Sequence, residues 1–176
     1  MQVSKTPDGH ETPGRFVDVH PISRVSLSQI VGLVEAIDEA GGVADAAAIA
    51  QDVDMQLDGI GPVVAAAEFL GTIKVDEGDL ELTDLGRRIL SADIRERKSI
   101  FREIVENVPV FRRVMEGIRT SGRSLSREEV LETLSSAVGT HHAEDVFRAL
   151  VYWGRYVELV AYDSGSEQLS LRSPAA

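Results

Sequence analysis

The chain has no cysteine, which excludes disulfide staples and thiolate zinc sites and leads us to expect a cytoplasmic address. No apolar run approaches the roughly 20 residues a membrane-spanning helix needs. The N-terminal stretch, with Lys5, Asp8, His10 and Glu11, lacks the apolar centre of a signal peptide. No G-x-x-x-x-G-K-[ST] run occurs, so the loop that cradles nucleotide phosphates is missing. Positive charge is scarce: 18 Lys and Arg stand against 29 Asp and Glu, and the net charge of −11 argues against general affinity for a polyphosphate. Aromatic residues make up only 5 % of the chain, with a single tryptophan, so the cluster Tyr152-Trp153-Tyr156 stands out.

The most informative run is 57–82. Ile60, Val63, Val64, Ala67 and Leu70 recur at helical spacing, and Gly71 sits where a helix needs a left-handed stop. Ile73 and Val75 then alternate with polar residues, Asp76-Glu77-Gly78-Asp79 turns the chain, and Leu80 and Leu82 alternate back. A helix running into a hairpin after two shorter helices is the pattern of a winged helix-turn-helix. Yet the helix that would read DNA carries no Lys or Arg from Leu57 to Leu70, and the hairpin tip is acidic.

Residues 1–22 are punctuated by Pro7, Gly9, Pro13, Gly14 and Pro21, and we expect a flexible arm with Phe16, Val17 and Val19 as its docking spot. Ser26-x-x-Gln29 is a capping box opening a first helix that ends at Gly41-Gly42; Asp45 opens a second. Gly61-Pro62 is read at the first turn of a third helix, where proline costs little. Thr83-Asp84 caps the next helix, and Asp93-x-x-Glu96 is either another start or part of one continuous helix. Pro109 should kink or break it. Ser126-x-x-Glu129 opens a further helix, and the one after Gly139 is expected to stop at Gly154. Val157, Leu159 and Ala161, the turn Asp163-Ser164-Gly165-Ser166, and the return Leu169-x-Leu171 make a second hairpin.

The two halves rhyme, Phe69-Leu70-Gly71 with Tyr152-Trp153-Gly154. The expected fold is mainly α with small antiparallel β-hairpins: tandem winged-helix-like units at 23–92 and 93–172, joined by a long, kinked helical linker, with 173–176 as a tail. Each unit alone is near the size at which a core is marginal, so they should pack on each other through the linker.

Charge is uneven. From Arg87 to Arg127 eleven basic residues face five acidic ones, so that stretch is +6 and the remainder −17. Two readings stand: solvated helix faces with compensating i,i+4 pairs, or a basic docking ridge formed by Arg87, Arg88, Arg95, Arg97, Lys98 and Arg102. Tyr152, Trp153 and Tyr156 form either core or an aromatic anchor for a partner. His141 and His142 are adjacent and point apart, so a metal site would need Glu144 or Asp145, and helix entry explains them better. Asp76, Glu77 and Asp79 fail the twelve-residue calcium-loop pattern and read as an acidic turn. No Ser/His/Asp set follows from spacing, so neither catalysis nor a cofactor is expected.

Leu80-Glu81-Leu82-Thr83-Asp84-Leu85-Gly86-Arg87-Arg88, then Ala92-Asp93-Ile94-Arg95-Glu96-Arg97-Lys98 and Phe101-Arg102-Glu103, resemble the AAA-associated C-terminal domain family. Tyr152-Trp153-Gly154-Arg155-Tyr156-Val157-Glu158-Leu159 with Tyr162-Asp163 is similar to its closing signature, and Gln29-Ile30-Val31-Gly32-Leu33-Val34-Glu35 to its opening. The resemblance spans about Pro21 to Leu171; Pro62 with Ala65-Ala66-Ala67 departs from it in a smaller, more apolar third helix. It implies a module of the kind appended to ATP-binding subunits of nitrate/sulfonate/taurine-type ABC transporters, here without the ATPase itself. The implied function is non-catalytic: regulation of, or interaction with, an ATP-binding subunit or permease component, with no cofactor and no membrane insertion. The alternative is a winged-helix transcriptional regulator. DNA readers place Arg, Lys, Asn or Gln on the inserted helix, whereas the first offers Asp58 and Glu68 and the second only Arg148.

Overall fold

Side-chain caps written into the sequence set most of the helix starts. The computed structural model describes residues 21–52 and 57–173; the arm with Phe16, Val17 and Val19 lies outside them. Helix α1 (Leu27–Glu39) opens on a complete capping box, Ser26 Oγ accepting from Gln29 N at 3.2 Å and Ser26 N donating to Gln29 Oε1 at 2.8 Å. Strand β1 (Val43–Asp45) leads into α2 (Ala46–Asp52), whose first amides, those of Ala47 and Ala48, donate to Asp45 Oδ1. Helix α3 (Leu57–Phe69) begins earlier than the proline suggested. Pro62 is therefore inside its second turn, where it removes one helical hydrogen bond rather than marking the start.

Helix α3 ends at Gly71, whose φ of 78° suits a residue without Cβ; the Thr72 amide closes back onto Ala67 O at 2.9 Å. Strands β2 (Ile73–Asp76) and β3 (Asp79–Leu82) follow, joined by Glu77 and Gly78 with φ of 48° and 94°, the two-residue turn that matches strand twist. The hairpin is only part of the sheet. β1 pairs with the far side of β3, Val43 opposite Glu81, giving a three-stranded antiparallel order β1-β3-β2. Ile73, Leu80 and Leu82 are buried, while Lys74 and Glu81 sit opposite each other on the other face.

The expected helical linker is three helices, so of the two readings of Asp93 the separate start holds and Pro109 marks a break. Thr83 caps α4 (Asp84–Ser91), a second complete capping box at Asp93 starts α5 (Ile94–Asn107), and Pro109 occupies the first position of α6 (Pro109–Ser121). With α6 the element order of the first half begins again. Strand β4 (Leu125–Ser126), α7 (Arg127–Val138), α8 (Thr140–Tyr156), β5 (Val160–Asp163) and β6 (Gln168–Leu171) follow, with sheet order β4-β6-β5.

Gly154 does not stop α8. The helix runs on to Tyr156, and the left-handed residue is Glu158, φ 58°. Gly154 is glycine for another reason: a Cβ there would lie 2.6 Å from Val160 Cγ2, so the helix meets β5 only because that position is bare. Backbone bonds give the true correspondence. Leu159 N closes onto Gly154 O as Thr72 N does onto Ala67 O, and Val157 N onto Trp153 O as Leu70 N does onto Ala66 O. Residues 157–159 are thus a helix end, not strand.

The halves share one hydrophobic core, in direct contact rather than through α4 and α5 alone. Phe69 of α3, Phe111 of α6 and Trp153 of α8 form a triangle with ring centroids 5.6–6.3 Å apart. Trp153 Nε1–H donates to the Val25 carbonyl at 2.8 Å, just ahead of α1. The 3-10 turn Ile22–Arg24 is pinned to α8 as well, Asp145 accepting from Ile22 N at 2.9 Å and from the Ser23 amide and hydroxyl.

Candidate interaction surface

The basic stretch does not form a continuous ridge. Arg87 pairs with Asp84 at 3.5 Å and Arg88 with Glu103 at 3.0 Å, all largely exposed. Arg97 donates to the Ile89 carbonyl at 3.1 Å and pairs with Glu35 at 3.6 Å, tying α5 to α1. Arg119 pairs with Glu106, and Arg123 with Glu129 at 2.6 Å. Arg123 and the Ser126 amide together hold the Glu129 carboxyl down at about 2, against an ordinary 4.5. Of the six expected ridge residues Arg95 and Arg102 have no ion pair among the described residues, and Arg95 stands beside Ile94, 86 % exposed. Much of the +6 is consumed internally.

Two of the six converge on the end of α8. Arg102 donates to the Val157 and Glu158 carbonyls at 3.1 and 2.8 Å, capping the negative end of the helix. Lys98 pairs with Glu158 at 3.4 Å and stands 6.0 Å from the Tyr156 ring centroid. Arg87, Arg88 and Arg95 lie elsewhere, on α4 and the start of α5.

The aromatic trio divides. Trp153 is completely buried and offers no surface, which corrects its placement among interaction residues. Tyr152 and Tyr156 are 50 % and 57 % exposed. Because α8 continues past Gly154, Arg155 joins them, and Glu144, Arg148, Tyr152 and Tyr156 fall at i,i+4 steps along one face.

That face lines an open groove of about 670 Å³ between α8, the start of α7 and strand β5. Phe147 and Tyr162 meet edge-to-face in it, centroids 5.2 Å apart, and the Arg127 guanidinium lies 5.6 Å from the Phe147 ring centroid. Glu144 is shared, bonded to Arg127 and, at 3.1 Å, to Arg148 Nε. Burial and then Glu167 push the Tyr162 phenol up, so it stays a neutral donor. Arg155 has no ion pair among the described residues. Sequence reasoning missed Arg127, Arg155 and Tyr162 because α8 was ended two residues early and spacing alone does not bring α7 and β5 to it.

Helix α3 presents no comparable face. Of its described positions from Gly59 onward only Gly59 is exposed. The Glu68 carboxyl is pushed up by burial, with a Val75 backbone bond pulling the other way. The hairpin beyond ends in Asp76, Glu77 and Asp79. Among the described residues no three His, Cys, Asp or Glu side chains converge as metal ligands, and no described helix is long and apolar enough to cross a membrane.

Comparison with protein families matches residues 47–163 to the C-terminal AAA-associated domain. The chain belongs to that family. The match takes in α4, α5 and most of the second half, including the whole α8 face, and stops at the end of β5; the opening run Gln29–Glu35 lies outside it. The family's description links it to AAA-type proteins, which fits an accessory kind of domain. No curated protein and no solved structure matches it.

Proposed function

We propose that this AAA-associated domain is a non-catalytic regulatory module that binds another protein, an ATP-binding subunit of a nitrate/sulfonate/taurine-type ABC transporter or its permease component. Its architecture is read as tandem winged-helix-like units, since each half runs helix, short strand, two helices and hairpin. The observation that carries the reading is the contrast between equivalent helices. In α3 the described positions after Gly59 are buried or half-buried, while in α8 the face is open and furnished with Arg148, Tyr152, Arg155 and Tyr156. Tyr and Arg are the residue types that dominate protein–protein hot spots. A DNA reader would need basic side chains on both inserted helices and on the hairpin tips.

The test is co-purification of the tagged full chain with the host's ATP-binding subunit in low salt, followed by that subunit's ATPase rate with and without the chain. Stable association with an altered rate is the expected result. Failure to bind any such subunit, or sequence-specific, salt-sensitive shifting of duplex DNA, overturns the proposal.

A further inference from the structure

The chemistry of the groove between α8 and β5 identifies what fits it. Its lining carries three guanidinium groups, from Arg127, Arg148 and Arg155, against the single carboxylate of Glu144. This is a cationic spot on a chain of net charge −11. Two of the cations share Glu144, so each is only half compensated, and Arg155 is uncompensated among the described residues. The floor is aromatic, Phe147 against Tyr162, and the rim carries Tyr152 and Tyr156. Tyrosines give large contact area with only two side-chain torsions to freeze.

The same positions in α3 carry no cation and no exposed aromatic. By the backbone correspondence of the two helix ends, Arg148, Tyr152, Arg155 and Tyr156 answer to Gly61, Ala65, Glu68 and Phe69. Phe69 is turned onto Phe111 and Trp153 and is consumed by the contact between the halves. Tyr156, its counterpart, is left to solvent. The α3 position that meets the other half through Phe69 is answered in α8 by an exposed Tyr156, flanked by Arg155 and Tyr152.

A long polyanion does not suit this spot. Duplex DNA presents a charge about every 1.7 Å. Its track would run past Asp163 and Glu167, whose charges act on Tyr162 at the β5 side of the groove. A short protein segment places its charge only where the arginines are.

Resting on the proposed protein-binding role, we infer that this groove receives a short acidic segment of the partner, two or more carboxylates flanking an apolar or aromatic anchor. The carboxylates engage Arg148 and Arg155 as forked pairs, and the anchor lies between Tyr152 and Tyr156 over Phe147.

A random dodecapeptide library displayed on phage, panned against the full chain, tests this. Arg148→Glu/Arg155→Glu serves as the counter-target; both residues are exposed and their replacement leaves the core intact, which circular dichroism checks. Enriched peptides are expected to be net negative with at least one large apolar residue. A synthetic peptide from the pool should bind the double variant, and separately Tyr152→Ser, at least about tenfold more weakly. Enrichment of neutral or basic peptides, equal binding to the double variant, or no enrichment overturns the inference. So does a duplex-DNA probe that binds in low salt and is lost in the double variant. Should the double variant still co-purify with the ATP-binding subunit, the groove is refuted while the proposed function stands.

Discussion

Replacing Trp153 with phenylalanine strikes the seam where the two halves meet. The indole is completely buried against Phe69 and Phe111, and its N–H is bonded to the Val25 carbonyl at 2.8 Å. A phenyl ring retains most of the packing but has no donor, so a carbonyl inside the core loses its partner, at a cost of about 1–3 kcal/mol. The smaller ring also leaves a void of roughly 40 Å³, worth about 1 kcal/mol at ~24 cal/mol per Å³. The total, about 2–4 kcal/mol, is a large share of the roughly 5–15 kcal/mol that holds a domain folded. With a urea slope of about 1–3 kcal/mol per molar, the midpoint should fall by about 1 M or more. Urea unfolding followed by far-ultraviolet circular dichroism measures it. The wild-type chain supplies an internal check, because its single tryptophan reports the seam while dichroism reports every helix. The two curves should superimpose. A midpoint shift under about 0.3 M, or a fluorescence transition separate from the dichroism transition, refutes the account of one shared core.

Gly154→Ala drives a Cβ into Val160 Cγ2 and should cost about 1–3 kcal/mol. Adding Val160→Ala removes the obstructing methyl, so the double variant should be more stable than the two single losses summed; strict additivity in urea melts would sink the close-approach argument. Glu129 is held at about 2, first by the Arg123 guanidinium and next by the Ser126 amide. A folded value below the ordinary 4.5 means its stabilising effect is complete above about 4.5 and is lost as pH falls toward 2. An NMR titration of its side-chain carbon should place the midpoint near 2, moving upward in Arg123→Ala; a wild-type midpoint near 4.5 contradicts the ion-pair geometry.

What the sequence revealed, it revealed through local chemistry. Ser26, Asp93 and Ser126 announce their helices because each cap and its N3 partner are three residues apart, so no distant contact is needed to form the box. Ile73 to Leu82 reads as a hairpin because apolar residues alternate on both sides of a glycine-bearing turn. Strands of three and two residues, β1 and β4, give no period to detect and exist only because β3 and β6 have free edges to pair. Gly154 misled because glycine ends helices far more often than it lets a strand approach one. The loss propagated: ending α8 there left Arg155 off the face that Arg148, Tyr152 and Tyr156 share. The basic stretch misled in the opposite direction, since the carboxylates that consume it, Glu35 and Glu158 among them, come from distant parts of the chain.

The repeated architecture turns these particulars into a functional argument. The two halves share one order of elements, with α3 and α8 in equivalent places. If both faces were readers of one extended ligand, both would be open and similarly charged. Instead Ala65 and Phe69 serve the interior while Tyr152 and Tyr156 serve the surface, and Glu68 stands where Arg155 stands. The exposed Tyr152 and Tyr156 add no buried core area, and Arg155 beside them has no ion pair among the described residues. The triangle of half-buried Phe69 with buried Phe111 and Trp153 already joins the halves, so the open face of α8 is not needed for that contact.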